Sequence, residues 1–345
     1  MKDTKTKEET MKLINIALAA AIAVGLAVPA RAEVLRFSSF EPPVAHITKN
    51  ILTAWAADVS AASEGELDVQ MFPGGTLGRN PAQQLKLVED GVADIAWVIP
   101  GYTPGRFNEG TVAELPFLVK DSTTGSAAMW ALYEAGLLKG DYENFKLIGV
   151  MSSSPNGLAS TVDMREPAEL KGQNIRAPGP TMLSAIKSLD AVPVGGITGP
   201  TMAESLSRGL ITGTFTQWGA VETFSAGGVV NHFLELPLGA TPMLIIMNKA
   251  KYEGLSDKAK AAIDTQSGAA FSDRFGRSFD EYLSEAKDRI LAANEITVID
   301  PDEALTAKWL EAMSVATQDW IAQTENGQAI YDAFKAELEK AEASN

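Results

Sequence analysis

The stretch LKGQNIRAPG, residues 170–179, carries the most information about the architecture of this chain. Its centre predicts a short strand that ends at Arg176, because Pro178 and Gly179 break the pattern and turn the chain. Ligands of open α/β sheets bind outside the carboxyl ends of the strands. A guanidinium held there presents a planar fork of donors that suits a carboxylate. The alternative is that Arg176 pairs with an acidic side chain on the protein surface.

The sequence around this stretch alternates between strand and helix patterns. A helical pattern covers residues 181–189, an apolar run follows at 191–194, and a further strand-like run ends at 215–218. Several short motifs occur in a fixed order: FPGGTLG (72–78), GVADI (91–95), ELPF (114–117), LKGQNIRAP (170–178) and LSRGLITG (206–213). In order and spacing this set resembles the solute-binding proteins of TRAP (tripartite ATP-independent periplasmic) transporters, over about residues 34–318.

Composition narrows the possible classes of function. The chain has 345 residues, of which 46% are hydrophobic, and a formal net charge of −15. That length is sufficient for two lobes with their own cores. The negative charge and the lack of a basic stripe argue against nucleic acid as a partner. The sequence contains no cysteine, which excludes both thiolate catalysis and disulfide bonds.

Residues 11–32 have the pattern of a secretory signal peptide. Lys12 precedes an uncharged apolar run from Leu13 to Val28, and the Ala-Arg-Ala sequence at 30–32 is an A-x-A cleavage site. We expect cleavage between Ala32 and Glu33 and a periplasmic location. Loss of residues 1–32 removes five basic and three acidic side chains and leaves a formal charge of −17. A membrane anchor is the weaker alternative, since the apolar run is short for a bilayer.

The order of the predicted elements indicates an α/β protein. Strand patterns at 34–40, 67–72 and 93–99 alternate with helical patterns at 45–62 and 81–90. This order predicts a mostly parallel sheet with its ligand face at the carboxyl ends of the strands.

The resemblance implies a two-lobed fold like that of periplasmic binding proteins, in which each lobe is a mostly parallel sheet flanked by helices. We expect an N-terminal lobe of residues 33–153 and 242–281, and a C-terminal lobe of residues 154–241 and 282–345. A proline-free helical pattern at 256–293 is expected to be one long helix that bridges the lobes. Two lobes joined by crossing segments form a cleft that can close around a ligand.

The resemblance places the family's carboxylate-binding arginine on Arg176, because LKGQNIRAPG aligns without a gap. In sialic-acid-binding members a second arginine precedes it, and that position is Asn156 here. A ligand-binding asparagine of many members falls on Thr216. Phe215 stands where the family has a glutamate.

Gln217 and Trp218 come directly after Thr216 in the sequence and are further candidates for ligand contacts. With fewer charges in the site, a single carboxylate fits better than a diacid or a sialic acid.

Aromatic side chains lie at or next to the predicted strand ends that face the cleft. They are Phe40, Trp97, Tyr102, Phe215 and Trp218. Together they predict an aromatic-lined slot, with core packing as the alternative for each ring. His46 opens the first helix and is also expected to reach the cleft. These features favour an aromatic or otherwise apolar 2-oxo or 2-hydroxy monocarboxylate as the ligand.

The sequence therefore predicts capture of a small organic acid rather than its chemical conversion. We expect no cofactor or metal, because the two histidines lack metal-binding spacing and no phosphate-cradling glycine loop is present. The resemblance implies delivery to the membrane permease of a TRAP transporter, and we expect a monomer. Two alternatives stay open: a binding protein that reports to a membrane sensor, and an exported hydrolase.

Overall fold

The computed structural model describes residues 32–344, so the predicted signal peptide lies outside the described residues apart from Ala32. The strands are numbered here in chain order. They are β1 (Glu33–Ser38), β2 (Leu67–Phe72), β3 (Ile95–Val98), β4 (Phe145–Pro155), β5 (Gly157–Ser160), β6 (Asn174–Arg176), β7 (Val192–Val194), β8 (Gly213–Thr216), β9 (His232–Leu234), β10 (Ala240–Asn248) and β11 (Thr297–Ile299).

The α-helices are numbered in the same way. They are α1 (Thr53–Ala62), α2 (Gln84–Glu89), α3 (Ser122–Glu134), α4 (Pro180–Ser188), α5 (Gly199–Ser207), α6 (Trp218–Thr223), α7 (Lys249–Glu253), α8 (Asp257–Thr265), α9 (Ala269–Ala293), α10 (Glu303–Gln323) and α11 (Gly327–Ser344). A π-helical turn at Ile47–Leu52 leads into α1. Of the helices between residues 32 and 344, none combines the length and the apolar character needed to cross a bilayer.

Two sheets form the centres of two lobes. Lobe 1 has the strand order β2-β1-β3-β10-β4, and lobe 2 has the order β11-β9-β5-β8-β6-β7. In each sheet one strand runs against all the others, namely β10 in lobe 1 and β5 in lobe 2. The two-lobed α/β fold with mostly parallel sheets is confirmed.

The reversed strands have a simple topological cause. The chain crosses from lobe 1 to lobe 2 between β4 and β5, at Asn156, and returns between β9 and β10. A strand that arrives from the other lobe starts at the edge where the remaining strands end. The cleft is therefore bordered by the carboxyl ends of the parallel strands and by the amino ends of β5 and β10.

Strand β3 is buried on both faces, because helices cover both sides of the lobe 1 sheet. All four of its residues are buried, and successive side chains point to opposite faces. Ile95 and Trp97 join the core beneath α1 and α9, while Ala96 and Val98 join the core beneath α3. Trp97 and Ile99 thus face the side of the sheet that continues into the cleft.

The helical stretch after residue 256 is not one continuous helix, contrary to our expectation. Helix α8 ends at Thr265, and α9 begins at Ala269. Gly268 between them has a φ of +80°, and its amide donates to the carbonyl of Ile148. Glycine adopts this conformation at little cost, so the chain turns here without a proline.

Of these two helices, α9 bridges the lobes. Its first half, with Phe275 and Phe279, belongs to the core of lobe 1, whereas Ile290 belongs to the core of lobe 2.

The last helix packs differently from the predicted division of the chain. We expected residues 282–345 to accompany the second lobe. In the structure, Ile330, Phe334 and Leu338 of α11 join the core of lobe 1 against α3. Helix α10 carries the chain between the lobes, since Trp309 packs in the core of lobe 2 and the chain then continues into α11.

Candidate ligand-binding site

A cavity lies in the cleft between the two lobes. The strand ends described above form its walls. Lobe 1 contributes residues that follow β1 and β3, and lobe 2 contributes the ends of β6 and β8. The crossing segments add Asn156 and Thr241, and α9 adds Phe279 and Tyr282. The topology therefore brings segments that are far apart in sequence to one enclosed space.

Arg176 is the cation of this cavity. It ends β6, its residue surface is 3% exposed, and its Nε donates to the carbonyl of Ile197 at 2.9 Å. One Nη lies 3.4 Å from the carbonyl oxygen of Phe215, and the other lies 3.5 Å from the hydroxyl of Tyr102. Burial lowers the pKa of Arg176, and Tyr102 partly opposes this shift.

No carboxylate within residues 32–344 forms an ion pair with Arg176, whose contacts are to neutral oxygens only. A guanidinium stays charged in proteins. A buried cation without an anion is unfavourable, because the protein has removed its hydration without replacing it by an opposite charge. The site is therefore electrostatically complete only when an anion enters the cavity.

Tyr102 joins the two lobes beside this arginine. It follows β3 in lobe 1, and its hydroxyl accepts a hydrogen bond of 2.9 Å from the amide of Gly199 in lobe 2. Nearby, Gly101 lies so close to lobe 2 that an added Cβ would be 2.3 Å from the carbonyl oxygen of Pro178. The lobes thus touch across the cleft, and the structure is in a closed arrangement.

Rings form the apolar wall of the cavity. Trp97 lines it and stacks on Phe40, with ring centroids 4.4 Å apart. Phe40 itself lies behind Trp97 and does not reach the cavity wall. Phe279 and Tyr282 of α9, together with Phe224, complete the wall. Our sequence reasoning missed these three rings; the two on α9 are spaced i, i+3 and therefore share one helix face.

Polar side chains at the crossing and at the end of β8 line the rest of the cavity. Asn156, Thr216 and Gln217 are all buried and all face it. The amide of Asn156 already donates to the carbonyl of Gly239 at 2.8 Å, and the amide oxygen of Gln217 caps α6 by accepting from Ala220. These side chains are held in place by the fold before a ligand arrives.

The remaining sequence-predicted residues lie elsewhere. The side chain of Phe215 belongs to the core of lobe 2, because alternation along β8 turns it away from Thr214 and Thr216. Trp218 stacks on Phe233 at 4.0 Å and donates its indole N–H to Glu235 at 2.9 Å. Neither ring reaches the cavity wall.

His46 lies on a separate open groove outside the cavity. It stacks on Tyr282 at 4.3 Å, and its Nε2 is 2.9 Å from the hydroxyl of Ser278. Burial is the main cause that lowers the pKa of His46. Tyr282 lines both spaces and separates the histidine from the cavity.

Glu41 is a cavity residue that the sequence reasoning did not identify. It follows β1, is 3% exposed, and burial raises its pKa to about 8 despite hydrogen bonds from Thr48. The EPP sequence at 41–43 has the composition of an exposed turn, so no local signal marks the carboxyl as buried.

A buried cation beside aromatic rings is chemically suited to an anion that carries an apolar ring. Within residues 32–344, no group of three or more His, Cys, Asp or Glu side chains is arranged to hold a metal ion. A cation in lobe 2, rings in lobe 1 and a closed cleft between them define a two-lobed ligand-binding protein.

Comparison with known proteins gives the family. The model of the family "Bacterial extracellular solute-binding protein, family 7" (DctP) matches residues 37–324, and the chain belongs to this family. The resemblance to TRAP solute-binding proteins is thus confirmed. The sequence is 25% identical over 346 residues to the protein of Comamonas testosteroni named outer membrane transporter protein TsaT, covering 94% of this chain and 97% of that one.

Two solved structures of TRAP solute-binding proteins are similar throughout. One, from a marine metagenome, is specific for aromatic acid ligands and contains 3-hydroxybenzoate; it has 30% identity, a TM-score of 0.85, and coverage of 90% of this chain and 99% of that chain. The other, from Rhodoferax ferrireducens, contains copurified benzoate; it has 26% identity, a TM-score of 0.85, and coverage of 91% and 99%.

Proposed function

We propose that this protein is the extracytoplasmic solute-binding component of a TRAP transporter and that its solute is an aromatic monocarboxylate. The carboxylate pairs with Arg176, and the ring lies against Trp97 and Phe279. The single observation that carries this proposal is a fully buried guanidinium without an anionic partner that faces an aromatic cavity. Two solved relatives that contain benzoate or 3-hydroxybenzoate support the same ligand class.

Tight binding requires both the carboxylate and the ring of the ligand. A hydrogen-bonded charge pair contributes about 1.5–3 kcal/mol. Burial of a small ring adds about 1.5–3 kcal/mol. Neither contribution alone gives tight binding, since association costs several kcal/mol of lost motional freedom. An apolar ring without a carboxylate, or a small carboxylate without a ring, is therefore expected to bind weakly.

The remaining parts of the proposal concern location and partners. The protein is exported by cleavage before Glu33 and delivers its ligand, in the closed form, to the membrane permease. Amino-terminal sequencing of protein recovered from the periplasm tests the first point, with Glu33 as the expected first residue. Uptake of labelled benzoate into vesicles that contain the permease, with and without the binding protein, tests the second.

We also propose that the protein does not convert its ligand. Of the two histidines, His46 faces the outer groove, and His232 lies in β9 outside the cavity, so no histidine is placed to activate Thr216 or Thr241 as a nucleophile. The hydrolase alternative predicts turnover of an ester of a bound acid, which chromatography of the incubated mixture detects. The sensor alternative predicts binding to a membrane receptor in place of the permease.

The central experiment is a thermal-shift and calorimetric titration of residues 33–345 with benzoate, 3-hydroxybenzoate and benzamide. A ligand at 100 times its Kd adds about 2.7 kcal/mol to the stability of the folded state. We expect both acids to stabilise the protein and benzamide, which lacks the charge, to have little effect.

In the same titration we expect Arg176→Ala to abolish the response and Arg208→Ala to preserve it. Arg208 is a matched control because it pairs with Glu204 on the exposed surface of lobe 2. Unchanged affinity of the Arg176→Ala variant, with its fold intact by circular dichroism, would contradict the proposal.

A further inference from the structure

The cavity contains two buried polar atoms that the protein itself leaves unpaired. Among the described residues that line it, Oε2 of Glu41 and Nε1 of Trp97 are buried and have no hydrogen-bond partner. A buried polar group without a partner destabilises the folded state, so folded proteins rarely keep one. Both atoms belong to lobe 1, and Phe40, which precedes Glu41, stacks on the Trp97 ring.

These two atoms belong to the lobe opposite the one that carries the cation. Arg176 belongs to lobe 2, whereas Glu41 and Trp97 follow or lie in strands of lobe 1. Glu41 does not form an ion pair with Arg176, and the charge of neither group contributes to the pKa shift of the other. A carboxylate bound at Arg176 therefore leaves Glu41 to face another part of the ligand.

The chemistry of the unpaired atoms specifies what that part is. An indole N–H is a donor only, whereas Oε2 of Glu41 accepts a hydrogen bond when the carboxyl is ionised and can donate one when it is protonated. A hydroxyl has one donor and two acceptor lone pairs, so one ligand hydroxyl can supply partners for both groups in either protonation state of Glu41. An apolar ring edge supplies a partner for neither. The fold also anchors Glu41 from behind, because its backbone carbonyl accepts from Gly74 and its carboxyl accepts from Thr48.

We propose that Glu41, with Trp97, is the specificity determinant that selects aromatic acids carrying a ring hydroxyl remote from the carboxylate. This inference rests on the proposed function, since it assumes that the carboxylate of the ligand binds Arg176. The hydroxyl forms a hydrogen bond with Oε2 of Glu41 and accepts another from the Trp97 indole N–H. The unsubstituted acid leaves both atoms without partners and binds more weakly for that reason.

The test compares four ligands in one calorimetric experiment: benzoate and its 2-, 3- and 4-hydroxy derivatives. The protein is expected to bind 3- or 4-hydroxybenzoate at least about tenfold more tightly than benzoate. In 2-hydroxybenzoate the hydroxyl is next to the carboxylate, so it stays near Arg176 and gains nothing from Glu41. The measured quantity is the ratio of Kd values, which cancels general effects on folding or closure.

Two variants identify the group responsible. Glu41→Met is expected to reduce the preference for the 3- or 4-hydroxy acid to within about twofold while benzoate still binds. Glu41→Gln keeps a side-chain acceptor of the same shape and is expected to retain most of the preference. Glu114→Gln is a matched control: Glu114 is also fully buried, with one unpaired oxygen, but lies outside the cavity. It is expected to leave all ratios unchanged.

The outcomes separate this inference from the proposed function. If no aromatic acid binds, or if binding ignores Arg176, the proposed function fails. If benzoate binds through Arg176 but Glu41→Met keeps the parental hydroxyl preference, only the role of Glu41 is overturned. An equal preference for 2-hydroxybenzoate that is also lost in Glu41→Met would likewise overturn it, because the hydroxyl would then be recognised beside the carboxylate.

Discussion

The two walls of the cavity differ in kind. Lobe 2 contributes the charge, in Arg176, polar atoms at the end of β8 and the ring of Phe224, whereas lobe 1 contributes the ring of Trp97 and the carboxyl of Glu41. Neither wall alone surrounds an aromatic acid, since lobe 1 lacks the cation and lobe 2 lacks the indole of Trp97. A ligand of this class gains its full contacts only when the lobes close. Because the two lobes supply different contacts, binding of the ligand and closure of the lobes depend on each other.

The largest expected effect comes from removing the charge of lobe 2 while keeping the side-chain volume. Arg176→Met is expected to weaken binding of aromatic acids by about 2–5 kcal/mol, because the carboxylate of the ligand is then buried without a partner. The unliganded protein is expected to keep its stability or gain some, since a buried unpaired cation disappears. Calorimetry and urea denaturation measure the two quantities. A large loss of unfolding free energy in unliganded Arg176→Met would contradict the view that Arg176 lacks an anionic partner until the ligand binds.

The next effect comes from preventing the walls from meeting. A Cβ at Gly101 in lobe 1 would lie 2.3 Å from the carbonyl oxygen of Pro178 in lobe 2. Gly101→Ala is therefore expected to disfavour the closed form and weaken binding by about 1–3 kcal/mol, with little change in unliganded stability.

Gly110→Ala is the contrasting control for this prediction. Its Cβ would lie 2.0 Å from the hydroxyl of Tyr142 within lobe 1. This substitution is expected to lower stability without a specific effect on closure. Small-angle scattering with and without benzoate measures closure. Ligand-induced compaction of Gly101→Ala equal to that of the parent would contradict the closed arrangement.

A third effect is the pH dependence of stability, in which Glu41 inside the cavity can be compared with Glu114 outside it. Burial raises the pKa of Glu41 and of Glu114 to about 8 in the folded protein, from an ordinary value near 4.5. Between pH 4.5 and pH 8, each carboxyl is therefore more protonated in the folded chain than in the unfolded chain. Their contribution to stability is full below about pH 4.5 and is lost as the pH rises toward 8, with a slope of up to ~1.4 kcal/mol per pH unit for each group.

Substitution of either glutamate by glutamine removes its share of this slope. Denaturation of the parent, Glu41→Gln and Glu114→Gln at several values between pH 5 and 8 gives the differences directly. Saturating 3-hydroxybenzoate is expected to alter the contribution of Glu41 and not that of Glu114. Identical pH profiles for all three proteins would show that neither carboxyl is buried as described.

The smallest effect on ligand affinity is expected for Trp218, which lies in lobe 2 but does not line the cavity. Trp218→Phe keeps the stacking on Phe233 but loses the hydrogen bond to Glu235. Unfolding free energy is expected to fall by about 1 kcal/mol. Affinity for benzoate is expected to change by less than about 0.5 kcal/mol, because the indole does not line the cavity. A larger loss of affinity would place Trp218 in the site after all.

The strand pattern explains which of the predicted residues the structure brings together. Arg176, Thr216 and Tyr102 follow or end strands in the sequence, and strand ends meet at the cleft whatever the details of packing. The alternation along β8 was also available from the sequence and would have turned Phe215 away from the cavity. Trp218 could not be placed in this way, because it opens a helix whose rotation is set by packing against Phe233.

By itself, the sequence determined the alternation of strands and helices, the membership in this family and the position of a cation at a strand end. These are properties of local pattern and of motif order. Only the tertiary structure decided that Glu41 is buried in the same cavity as Arg176, that α9 contributes Phe279 and Tyr282, and that Phe40 and Phe215 belong to the cores. The physical reason is that burial of a side chain depends on which distant segments of the chain pack over it, and the local sequence does not specify those segments.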